Sequence, residues 1–126
     1  MQQAHDFLKE SKLLYELLLE RNESDYELIT QFKNWSIQDV IGHLYLFNVA
    51  AIKTVDGPKS FDDFFIPFLQ QLQKGKTMVE AQVPWLNGLS GKSLLSKWWD
   101  SCLELEKIYS IPLYLEILYG FYHCYG

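Results

Sequence analysis

Phe32-Lys33-Asn34-Trp35-Ser36-Ile37-Gln38-Asp39-Val40-Ile41-Gly42-His43-Leu44 decides how this chain is read, because it sets a single imidazole on a capped and mostly apolar helix. Ser36 reads as the N-cap: its hydroxyl can accept from the free backbone N–H of Asp39. The Asp39 carboxylate can accept in return from the Ser36 N–H and suits the positive end of the helix. On a helical wheel Ile37, Val40, Ile41, Leu44, Asn48 and Ala51 form one stripe, and His43 falls beside it with Val40, Phe47 and Ala50. His43 therefore points inward or along a helix seam. Helical bundles present metal ligands in this way, and they also keep seam histidines that donate to a carbonyl. The helix alone supports both readings, since one ligand does not make a site.

Outward from this stretch the pattern is helical throughout. A first helix is predicted over residues 3–21, with Ala4, Phe7, Leu8, Leu14, Leu17 and Leu18 near the helical period and Lys9, Glu10, Lys12, Glu16 and Glu20 opposite. Residues 25–32 read as a short helical turn or loop whose Tyr26, Leu28, Ile29 and Phe32 cover the end of the bundle. The His43 helix is predicted over 36–55 and stops at Asp56-Gly57-Pro58. A third segment is expected to start at Ser60, where Ser60-Phe61-Asp62-Asp63 repeats the capping pattern, and to reach about residue 74. Pro67 either divides it into two short helices meeting near Ile66 or kinks one helix. Residues 77–91 read as a mixed connection with a helical turn before Pro84. Ser90 then opens a helix with Leu94, Leu95, Trp98, Trp99, Cys102, Leu103, Leu105 and Ile108 on its apolar face. After Ser110-Ile111-Pro112 the chain becomes rich in Tyr and Leu, with Glu116 its one acidic residue and no Lys or Arg.

Composition narrows the function classes. With 126 residues, 48% of them hydrophobic, the chain reads as one helical domain over 1–126 with a single core. A net charge of −5 and scattered cations provide no basic face for nucleic acid. No apolar run reaches the roughly 18 residues of a membrane span, and the N-terminus lacks the pattern of a signal peptide. Cys102 and Cys124 form no CxxC motif, which makes a reducing, cytoplasmic setting the expectation. There is no G-x-S-x-G, phosphate loop or H-E-x-x-H run, and Cys102 has no His beside it in sequence to activate a thiolate.

The run Trp35-Ser36-Ile37-Gln38-Asp39-Val40-Ile41-Gly42-His43-Leu44, followed by Phe47, Ala50-Ala51 and Asp62-Asp63-Phe64-Phe65, resembles the W-(T/S)-x-x-(D/E)-(V/Q)-(I/V)-x-H-L signature of the DinB/YfiT-like metalloproteins. More narrowly, it is similar to the metal-binding domain of mycothiol-dependent maleylpyruvate isomerase. Pro84-Trp85-Leu86, Gly88-Leu89-Ser90-Gly91 and Trp98-Trp99 follow in matching order, so the resemblance covers about residues 3–109. It implies an all-α, up-and-down four-helix bundle in which three residues hold a divalent metal, zinc or nickel. Such a metal would polarise a bound thiol or water for transfer or isomerisation of a small-molecule substrate. His43 maps onto the first ligand.

The other two ligands of that family come from a later helix, as a Glu-x-x-x-His or His-x-x-x-His pair, and this chain has no such run. The resemblance thus implies a last helix that is incomplete or replaced by the aromatic tail of 110–126, with the chain cut short or frame-shifted near residue 110. The alternative is a genuine short helix plugging the bundle. Asp39 and Asn48 could serve as weak helpers to His43. Glu116 and His123 are seven residues apart, about 10 Å along a helix, too far for both to bind the ion held by His43 without a bend, and Gly120 stands where the family's histidine would fall. An open groove lined by Val40, Phe47 and Trp98 is expected, filled in part by Leu113, Leu115, Ile117, Leu118 and Phe121, with a homodimer burying the rest. The reading from a different class is a non-catalytic helical interaction module or dimerising fragment that holds no metal.

Overall fold

The Ser36 cap forms as expected: Ser36 Oγ accepts from the Asp39 N–H at 3.0 Å, and Asp39 Oδ2 accepts from the Ser36 N–H at 3.0 Å. The computed structural model describes residues 2–109, with side chains over 6–108. Within them the fold is all-α. Its helices are α1 (Gln2–Leu19), α2 (Ile37–Lys53), α3 (Pro58–Gln73), α4 (Met78–Leu86) and α5 (Gly91–Tyr109), with 3-10 turns at Glu23–Glu27 and Thr54–Asp56. The aromatic tail lies outside the described residues, as do the expectations placed on it.

α2 is central, with α1 and α5 to one side and α3 and α4 to the other. It runs parallel to α5: Gln38 Oε1 accepts from the Gly91 N–H at 2.9 Å where both helices begin, and Asn48 Nδ2 donates to Ser101 Oγ at 3.0 Å further along. α1 runs antiparallel to α5. The carboxylate of Glu23, just past the end of α1, accepts from the Lys92 N–H at the start of α5. A Cβ at Gly91, whose φ is +50°, would meet that carboxylate, so a larger residue there would displace the Glu23 side chain from the start of α5.

Three apolar clusters share α2, the smallest being Ala51 with Leu105 between α2 and α5. Leu18, Tyr26, Ile41, Leu94, Leu95, Trp98 and Cys102 fill the space among α1, α2 and α5. Phe47, Ala50, Phe65, Phe68 and Ala81 fill the space among α2, α3 and α4. Phe65 stacks on Phe68 at 5.7 Å, and Phe68 meets Trp85 edge-on at 6.0 Å.

Several sequence expectations need correction. α3 begins at Pro58, not Ser60: Gly57 at φ +113° turns the chain, and a proline in the first helical turn sacrifices no hydrogen bond. It continues through Pro67 as a single helix, because Pro67 and Asp63 four residues earlier are both exposed and water can replace the lost bond. Residues 77–91 contain a full helix, α4, capped reciprocally by Thr77 and Glu80 at 3.0 and 3.2 Å. Leu28, Ile29 and Phe32 do not cover the bundle end. Their segment folds back on itself, with Thr30 N–H donating to the Trp35 carbonyl at 2.7 Å and Lys33 and Asn34 in left-handed conformations, so these three side chains stay exposed. Tyr26 alone of that set is buried, its hydroxyl donating to the Leu18 carbonyl at 2.9 Å. Leu17 and Leu103 also face outward, off the arcs that α1 and α5 bury. No described helix is long and apolar enough to cross a membrane.

Candidate functional site

With the start of α2 set by its cap, His43 falls two turns in, on the side facing α4. The ring is half-buried. Its Nδ1 lies 2.9 Å from Oε1 of Gln82, a side chain of α4 that is only 1% exposed. Trp35 approaches the ring at 5.4 Å between centroids and Phe47 at 4.3 Å. α4 can come this close because position 42 is glycine, where a Cβ would stand 3.2 Å from a methyl of Leu86. The wall continues outward: Phe32 meets Trp35 edge-on at 5.3 Å, and the Lys33 ammonium lies 5.4 Å from the Phe32 ring.

Burial pushes the His43 imidazole below its ordinary pKa; the hydrogen bond with Gln82 opposes that shift and the Lys33 charge adds to it. The ring is therefore neutral near pH 7, the form in which histidine ligates metals and also the form in which it packs in a seam.

The other expected donors are not gathered around it. Asp39 is one turn earlier on α2, but its carboxylate is held by the Ser36 N–H. Asn48 faces α5, donating to Ser101 Oγ at 3.0 Å and Cys102 Sγ at 3.5 Å, on a different face of the helix from His43. Glu116 and His123 lie outside the described residues. Among the described residues no group of three His, Cys, Asp or Glu side chains is disposed to share a metal ion. Cys102 is a buried free thiol whose pKa is pushed up to about 11 by burial, which makes it a poor nucleophile.

α1 and α2 both pack on α5 and leave a cleft of about 350 Å³ between them, lined by Phe7, Leu14, Leu44 and Trp98 with the polar Glu10, Ser11 and Asn48. Of the three residues expected to line an open groove, Trp98 borders this cleft, whereas Val40 and Phe47 do not; Phe47 is buried toward α3, edge-on to Phe65 at 6.3 Å.

Sequence reasoning missed Gln82 because its segment was read as a connection. The Thr77-x-x-Glu80 capping box, the same signal that located α2, would have revealed the helix that carries it. Compared with known proteins, the chain matches no family model, no curated protein and no solved structure.

Proposed function

We propose that this chain is a DinB-like helical bundle that contributes one ligand, His43, to a divalent-metal centre, zinc or nickel, of the kind that serves thiol-dependent isomerases and transferases. The seat of His43 carries this reading: a half-buried, neutral imidazole, hydrogen-bonded to a buried amide and walled by Trp35 and Phe47, on a helix with a doubly bonded cap. The described residues supply one donor of the three such a site needs, so they do not complete it. The rest of the set would come from a second chain, or from one of Glu116 and His123 together with a further donor, since that pair would not both reach one ion without a bend. No catalytic step is assigned.

Metal content of the purified full chain tests the proposal. Zinc or nickel should accompany the wild type, be lost in His43→Ala and be kept in Cys102→Ala. Equal metal in wild type and His43→Ala removes the reading.

One observation favours a second reading, a non-catalytic helical module with His43 as a seam residue: Nδ1 already has its partner in Gln82. Wild-type protein that purifies without metal and takes up neither zinc nor nickel selects that alternative.

A further inference from the structure

We infer that Gln82 is a positioning residue that fixes the tautomer of His43, keeping the proton on Nδ1 and the lone pair on Nε2. The amide oxygen of glutamine only accepts, so the imidazole nitrogen 2.9 Å from Oε1 donates. A neutral imidazole has a single N–H, which leaves Nε2 as the ring's one electron-pair donor. The partner is not interchangeable with water, because Gln82 is 1% exposed. Trp35 and Phe47 restrict rotation of the imidazole.

Choice of residue matters chemically. A carboxylate at position 82 would hold the same tautomer but would add a negative charge beside the ring; the amide sets the proton without that charge. Gln82 thus defines the nitrogen through which any cation or proton donor reaches His43.

This inference rests on the reading of His43 as a donor, and the test separates the two. Long-range ¹H–¹⁵N correlation on the metal-free full chain near neutral pH reports which ring nitrogen carries the proton, with His43→Gln assigning the signal among the chain's three histidines. Wild type should show protonated Nδ1 and bare Nε2; Gln82→Glu should retain that pattern, and Gln82→Met should lose it. Zinc alone, added as the probe, should bind roughly 10–100-fold more weakly to Gln82→Met than to wild type, with Gln82→Glu restoring binding. Because Gln82→Met could disturb α4, the wild-type and Gln82→Glu spectra decide the matter by themselves. Protonated Nε2 in the wild type overturns the inference even if zinc binds. Protonated Nδ1 without zinc uptake upholds the positioning role and removes the metal reading.

Discussion

Toward α1 and α5, α2 turns Ile41 and Ala51 to a mixed set, Leu94, Leu95 and Leu105 with Tyr26 and Trp98, whereas toward α3 and α4 it turns Phe47 and Ala50 to a succession of rings, Phe65, Phe68 and Trp85. Each side also admits polar groups. Toward α5, Asn48 is tied to Ser101 and Cys102 at the floor of the α1–α2 cleft, and toward α4, His43 and Gln82 meet at a half-buried edge. One helix thus serves a leucine-rich interface with a cleft at its edge and a ring-lined interface with a histidine at its edge. The imidazole belongs to the ring-lined side, where Trp35 and Phe47 wall it and Gln82 of α4 reaches its Nδ1.

The sharpest way to break this comparison is to remove a ring. Phe65→Ala empties a buried site that touches Phe47, Phe61 and Phe68 and should cost about 3–5 kcal/mol in denaturant unfolding. A loss below about 1 kcal/mol would mean that the aromatic side does not share the cooperative core. Leu95→Ala, at a position with 0% exposure, should cost about 2–5 kcal/mol. Leu44→Ala should cost less than Leu95→Ala, because Leu44 is half-buried on the α1–α2 cleft and its removal enlarges an existing space. Equal losses would show that Leu44 is packed as tightly as Leu95.

The two capping boxes allow a finer test. Ser36→Ala and Thr77→Ala should each cost on the order of 1 kcal/mol, and only the former acts on a helix common to both sides. An unchanged melting curve for Ser36→Ala would show that packing alone sets the start of α2.

The smallest expected effect is one of pH. The folded-state pKa of His43 is depressed below 6.5, so between that depressed value and 6.5 the unfolded chain binds the extra proton and the folded chain does not. The stability due to a neutral His43 is present above about pH 6.5 and is lost as pH falls through the depressed value. Urea titrations of metal-free wild type and His43→Phe across this window should diverge on the acid side, and parallel curves would contradict the burial of the ring.

Much of the fold was legible where hydrophobic period and cap agree. α2 and α5 follow Ser36 and Ser90, and their apolar stripes end up where the period puts them, Leu103 apart. α3 and α4 were harder because Pro58, Pro67 and Pro84 were weighted as breaks. Pro58 sits in the first turn, where the missing N–H costs nothing, and the interior prolines lie on exposed faces. His43 stood out as a lone imidazole on an apolar helix. Gln82 could not, since a neutral amide 39 residues away carries no periodic or charge signal and gains its meaning only when α4 packs.

Asn48 has a consequence for the alignment of α2 and α5. Leucines can interdigitate in more than one way, and a slide of α5 by one turn, about 5.4 Å, would still bury apolar area. It would also carry Ser101 and Cys102 away from the Asn48 amide, leaving a buried donor unmatched at a cost of about 1–3 kcal/mol. A single carboxamide among hydrocarbons thereby acts as a vernier, selecting one notch from several that greasy side chains would accept.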